Sequence, residues 1–210
     1  MSKQKKNINI KEVRKIPYNG YSYSQLVLQM DGDDIDNYTV NCLRRIAFNN
    51  IPTYALCSQS INIEFNDSIF NNDQMRLRLE QFPIFNVDND ILFLPTKYWK
   101  NIDYSDNKRE KFPDDDKNIE LYLSVHNDTT KNINVMSDDI KYYEDGEQIE
   151  NKLAKIKPLL LVQLRPNQTF KAHAKAVLGI GERNDIWSSV SNFYFKQLNN
   201  HSYELFVESQ

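Results

Sequence analysis

Residues 40–56, VNCLRRIAFNNIPTYAL, constrain this chain more than any other stretch. They read as one helix that runs into the Ile51-Pro52 break. At about 100° per residue, Val40, Leu43, Ala47 and Ile51 centre one apolar face. Cys42 and Ile46 widen that face on one side, and Phe48 widens it on the other. The resulting arc far exceeds the roughly 100° stripe that a surface helix needs. Only Asn41, Arg45 and Asn49 share a clearly polar sector. Such a helix is covered on more than one side, by its own sheet and by a second protein. Arg44 lies beside the arc while Arg45 centres the polar sector, so two adjacent guanidiniums point in different directions. The plainer alternative is an ordinary buried helix with a snorkelling arginine.

At 210 residues the chain can bury a sizeable core, as one domain or two intertwined ones. Charged residues make up 26% and hydrophobic ones 40%, the balance of a soluble globular protein. A net charge of −3 supplies no overall basic field for nucleic acid, so DNA contact is expected to be absent or indirect. The two cysteines, Cys42 and Cys57, cannot build a four-thiolate metal site and point weakly to a reducing compartment. The first residues carry charge without an apolar segment, and no run approaches the roughly 18 apolar residues of a membrane span. An intracellular protein without a membrane role is expected.

Residues 1–20 read as a loose basic arm or first strand, and 24–30 as a strand. The acidic turn at 31–36 lacks the glycine and glutamate spacing of a calcium loop, and Asp36 or Asn37 is the expected N-cap of the first helix. A second helix is expected at about 72–81, with Asn71 and Gln74 as a capping box and Pro83 ending it. Residues 86–118 are the least regular part; the triplet Asp114–Asp116 reads as solvated rather than as a cation site. Strands are expected at 60–65, 119–126, 133–136, 159–164, 169–177, 192–195 and 203–207, and an acidic-basic loop at 141–157. In the strand at 169–177, Phe170, Ala172, Ala174 and Ala176 face inward, and Lys171, His173 and Lys175 form an outward basic ridge.

Catalytic chemistry has no visible carrier. His126, His173 and His201 are isolated, and neither a nucleophile elbow nor a phosphate loop is present. The segment Gly179-Ile180-Gly181-Glu182 has no third glycine, and Glu182 would repel phosphate. Trp187, in a serine-rich segment, reads as a contact anchor. No cofactor, metal or small-molecule substrate is expected.

Several segments taken in order resemble one family. Asn41-Cys42-Leu43-Arg44-Arg45 followed by Ile51-Pro52-Thr53 is similar to the signature of the alpha/D-type assembly subunit of multisubunit DNA-directed RNA polymerases. Asp73 with Arg78-Leu79 and Phe82-Pro83-Ile84 resembles that family's acid, Arg-Leu, Pro helix. Val135, Ser137 and Asp139-Ile140 look like its Val-Tyr-Ser-x-Asp-Leu segment. Leu164 to Gln168, Gly179-Ile180 with Trp187, and Phe206-Val207-Glu208-Ser209 complete the series.

The resemblance implies an α+β fold: a dimerisation module of residues 1–57 and 201–210, interrupted by an inserted, mostly β domain at 58–200. It implies a non-catalytic scaffold in transcription that pairs with a smaller alpha-like subunit and carries the two large catalytic subunits. Asn41, Arg44 and Arg45, with Leu43, Ile46, Phe48 and Trp187, would meet partners. Asp73, Arg78, Pro83, Gln168, Gly179 and Glu208 would be structural. Departures are plain: Asn184-Asp185-Ile186 replaces a His-Ala-Lys run, Asn167 replaces a glycine, and the family's cysteine cluster is missing. The long amphipathic helix that usually follows Glu-Ser is not in this sequence, so a longer gene product or a partner would have to supply it. The Asn-, Ile- and Lys-rich composition suggests a large DNA virus, hence host cytoplasm or virion; a cellular version would be nuclear. The alternative from another class is a stand-alone β-rich interaction module, an adaptor or viral structural protein.

Overall fold

The computed structural model describes residues 8–17, 24–84, 99, 118–151 and 158–209. The chain divides into two compact units, Met1–Ile51 with Ile180–Gln210, and Pro52–Gly179. The expected boundaries lay at 57/58 and 200/201. Residues 53–55 instead pair with 177–179 inside the second unit, and residues 192–199 pair with the last strand in the first.

In the first unit, β1 (Asn9–Ile16), β2 (Ser24–Asp31), β12 (Asn192–Asn199) and β13 (Ser202–Ser209) form an antiparallel sheet in the order β1-β2-β13-β12. Opposed residues of antiparallel strands share a face. Met30 and Leu28 therefore line up with Tyr203 and Leu205, and Phe195 and Phe193 continue the row. These side chains meet Val40 and Ala47 of α1 (Asn37–Asn49) in one core.

The second unit is built on a five-stranded antiparallel sheet. Its strands are β4 (Ile61–Asn66), β5 (Ile119–His126), β7 (Lys141–Glu144), β8 (Glu147–Ile149) and β10 (Thr169–Lys175), ordered β4-β10-β5-β7-β8. Two ribbons accompany it: β6 (Ile133–Met136) with β9 (Leu160–Leu164), and β3 (Thr53–Ala55) with β11 (Val177–Gly179). Phe170, Ala172 and Ala174 alternate inward against Leu121 and Leu123, as the period-two pattern requires, and α2 (Asn72–Glu80) adds Met75 and Leu79 to that core. The Asn71–Gln74 capping box at the start of α2 is present in both directions.

The expectation of an α+β fold is overturned. Thirteen strands and two α-helices make up the regular structure of the described residues, a mostly β protein. The first helix stops at Asn49, two residues short of the Ile51-Pro52 break expected to end it, because a residue preceding proline is pushed out of the helical region; 53–55 then run as strand. Strand also replaces the loop expected at 141–157, where Asp145 and Gly146 take positive φ, 52° and 87°, and turn β7 back into β8. Residues 85–98 and 100–117, including Asp114–Asp116, lie outside the described residues.

One buried polar residue organises the second unit. The fully buried Asn127 amide donates to the carbonyls of Lys131 (2.8 Å) and Leu164 (3.0 Å). Its oxygen accepts from the Thr129 backbone at 3.0 Å and hydroxyl at 2.8 Å. Truncation removes the side-chain donor from the Leu164 carbonyl, the fully buried one of these partners, and frees the turn at Thr129 and Lys131. Asn127→Ala is therefore expected to cost about 2 kcal/mol in urea denaturation; a loss below about 0.5 kcal/mol would mean the loop reorganises freely.

Candidate protein-interaction surface

The outer side of α1 leaves apolar side chains uncovered on a helix that is anchored at both ends. The helix starts at Asp36, whose carboxylate accepts from the Thr39 backbone and hydroxyl, both at 2.7 Å. Those two hydrogen bonds, the hydroxyl's first, hold the Asp36 carboxyl below its ordinary value. A carboxyl with a lowered folded-state pKa stabilises above its unfolded value and loses that contribution as pH falls through the folded one. Asp36→Ala should therefore lower the melting temperature near neutrality, with the gap closing under acid below the ordinary carboxylate range. A gap independent of pH would refute the capping role.

The other end of α1 is held by residues 180–191. The Ser189 hydroxyl donates to the Ala47 carbonyl at 2.8 Å, and the Glu182 N–H donates to that of Asn49 at 3.0 Å. Gly181 passes so close that a Cβ there would sit 2.0 Å from the Phe48 carbonyl oxygen. These contacts satisfy carbonyls that a helix end leaves open. Sequence reasoning missed Gly181, Glu182 and Ser189 as a group. The signal was the second glycine of Gly-Ile-Gly, which marks a close backbone approach rather than a phosphate.

Held at both ends, α1 buries only half of its apolar arc. Val40 and Ala47 are in the core and Phe48 is half-buried. Tyr38 is 86% exposed, Ile46 42% and Leu43 38%, and Cys42 is exposed beside them. The Nε–H of Arg44 donates to the Asn41 side-chain oxygen at 3.1 Å, which fixes the fork along the helix. Arg45 is exposed and makes no ion pair among the described residues. Tyr38, Cys42, Arg45, Ile46, Asn49 and Glu182 line a shallow groove of about 390 Å³. An apolar strip rimmed by an unpaired guanidinium suits a protein partner that brings a carboxylate or carbonyls.

The remaining expected residues do not join this surface. Trp187 is 3% exposed, so its ring is enclosed by the chain and leaves no face for a partner contact. Glu208 accepts from the Gln25 amide at 3.0 Å, and its backbone carbonyl accepts from the Ser191 N–H at 2.9 Å. In the second unit, Asp73 pairs with Arg76 at 2.9 Å rather than with Arg78. Arg78 lies 4.8 Å from the centre of the Phe70 ring, and Pro83 follows the buried Phe82. The Gln168 oxygen accepts from the Arg165 N–H at 2.7 Å, and its amide donates to the Asp67 carbonyl at 2.6 Å. Gly179 closes the β3–β11 ladder opposite Thr53.

No helix among the described residues is long and apolar enough to cross a membrane. No family model matches the chain. It is 28% identical over 199 residues to a protein of Acanthamoeba polyphaga mimivirus that bears the provisional name DNA directed RNA polymerase subunit R470. The match takes in 85% of this chain and 56% of the mimivirus protein, so the chain spans little more than half the length of that relative. The likeness is therefore to an RNA polymerase subunit of a large DNA virus, and it specifies no alpha/D type.

Proposed function

We propose that this chain is a non-catalytic assembly subunit of a DNA-directed RNA polymerase, of the alpha/D kind. It pairs with a smaller relative and offers the outer side of α1 to the large catalytic subunits. The observation that carries this reading is the uncovered strip of Tyr38, Leu43 and Ile46 beside the unpaired Arg45, on a helix otherwise clamped at both ends. Burying a Leu or Ile side chain contributes about 1.5–3 kcal/mol, so leaving two of them half-open is costly unless another chain covers them. The mimivirus similarity and the ordered series of family-like segments support the polymerase context. The protein then works wherever that transcription machinery assembles, inside the host cell or virion.

The test is affinity recovery of the tagged chain from cells making the cognate transcription machinery, followed by identification of what comes with it. The two large polymerase subunits are expected in stoichiometric yield. Their absence, with the chain itself intact, would overturn the assembly reading and favour a stand-alone interaction module.

A further inference from the structure

An open sheet has two edge strands, and folded proteins guard such edges against further pairing with charges, bulges, short strands or covering elements. Among the described residues, three of the four edges of the two larger sheets are guarded in these ways. β1 carries Lys11, Glu12, Arg14 and Lys15 and is bulged at Val13. β4 is bulged at Glu64, and its Ile61 carbonyl accepts from the Arg76 Nε–H at 3.5 Å. β8 is only three residues long. The fourth edge is β12, which has a single charge, Lys196, in its eight residues. Six of those eight residues are exposed, and no other described strand lies along its outer side.

The side chains at this edge are aromatic. Phe193 and Phe195 stand on the sheet face that meets α1, and Tyr194 stands on the other. Tyr194 lies opposite Phe206 of β13, and the two rings are stacked, with centres 4.6 Å apart and planes inclined by 7°. Phe206 therefore covers one face of the Tyr194 ring. The other face is turned away from β13, to the side on which a further strand would lie. Tyr194 is 47% exposed, although its ring is already held in place by Phe206.

The sequence around Tyr194 reads the same in both directions, Phe193-Tyr194-Phe195. That symmetry matters for a strand added by a second copy, because a twofold axis perpendicular to the sheet sets β12 antiparallel to itself. Opposed residues must share a face, so the axis passes through a residue and not between two. An axis through Lys196 would oppose two ammonium groups, and one through Phe195 would set Phe193 against Gln197. An axis through Tyr194 instead sets each Phe193 against the partner's Phe195 and Lys196 against the partner's neutral Asn192. Directly opposed side chains stand about 5 Å apart, so the open face of Tyr194 meets that of the partner's Tyr194. The stack then runs through four rings, from Phe206 to the partner's Phe206.

We infer that the outer edge of β12 pairs with β12 of a second copy of this chain, in antiparallel register about Tyr194, to make one continuous eight-stranded sheet. The pairing closes on itself and leads to a dimer rather than a fibre. The register shift between Gln197 and Asn199 ends the regular ladder, so the contact is short and the affinity modest. It uses none of the exposed α1 side chains, so it stands or falls apart from the polymerase reading.

Sedimentation equilibrium of the full chain from about 10 µM to about 1 mM tests this, with a monomer–dimer Kd on the order of 100 µM expected. Tyr194→Lys and Tyr194→Glu each place like charges on the axis and should weaken association at least about tenfold. An equimolar mixture of the two should recover it, because lysine then faces glutamate. Tyr194→Phe keeps the stack and should stay within about twofold of the parent. Asn192→Lys leaves the rings untouched, sets a second ammonium against the partner's Lys196, and should weaken pairing about fivefold. Melting temperatures of the same samples verify that each variant is folded. A parent that stays monomeric across this range, assembly beyond the dimer, indifference to Tyr194→Lys and Asn192→Lys, or failure of the mixture to recover would overturn the inference.

Discussion

Under the proposed function, Arg45→Glu is expected to weaken recovery of the large polymerase subunits by at least about a hundredfold while leaving the chain's own melting temperature unchanged. Arg45 is exposed, has no ion pair among the described residues, and rims the groove beside Ile46. Among the described residues no carboxylate pairs with it, and exposed substitutions of this sort stay within about 0.5 kcal/mol. Across an interface the situation reverses. A guanidinium matched to a carboxylate or carbonyls becomes a carboxylate facing them, and both charges are then desolvated without a counterpart. Arg45→Lys keeps the charge but loses the planar fork, so a smaller loss is expected. Pull-down yield and thermal melting, measured on the same preparations, separate the two effects. Full recovery of the large subunits with Arg45→Glu would remove α1 from the interface.

Gly181→Ala acts through the opposite route. A Cβ would stand 2.0 Å from the Phe48 carbonyl oxygen and 3.1 Å from its carbon. Those atoms belong to the helix backbone and cannot rotate away. Either α1 or the loop must retreat by about 1 Å, and the Glu182–Asn49 and Ser189–Ala47 hydrogen bonds are the first to stretch. A loss of about 3 kcal/mol in chemical denaturation is expected. Partner recovery should fall with stability, whereas Arg45→Glu separates the two. An alanine variant within about 0.5 kcal/mol of the parent would mean that the loop is not tied to α1.

Much of the β content was readable because its pattern is local. The alternation of Ile119, Leu121 and Leu123, and of Phe170, Ala172 and Ala174, placed those residues inward, where they are buried. The turn at Asn167, with φ 62°, likewise followed from a residue that tolerates the left-handed region. The β7–β8 hairpin did not follow from the sequence, because strands of only four and three residues carry too little alternation to stand out around the Asp145-Gly146 turn. The stop of α1 ahead of Pro52, by contrast, was legible, since the residue before a proline is pushed out of the helical region; the helix ends at Asn49. The width of the apolar arc on α1 was visible, but which half faces outward was not. That depends on Met30, Phe193, Tyr203 and Leu205, which lie far away in sequence and meet Val40 and Ala47 only in three dimensions. The burial of Trp187 was hidden for the same reason, because a large amphipathic ring suits a core as well as a surface.

The strand order β1-β2-β13-β12 has a consequence for how the protein comes off the ribosome. Its final strand sits in the middle of the first sheet, between a strand made at the outset and one made just before it. Everything from Pro52 to Gly179 emerges in the interval and can close on itself. At roughly 5–20 residues per second, α1 waits on the order of 10–30 s for its floor and its clamp. The floor under Val40 and Ala47 and the clamp on Ala47 and Asn49 are therefore completed only once residues 180–209 have been made.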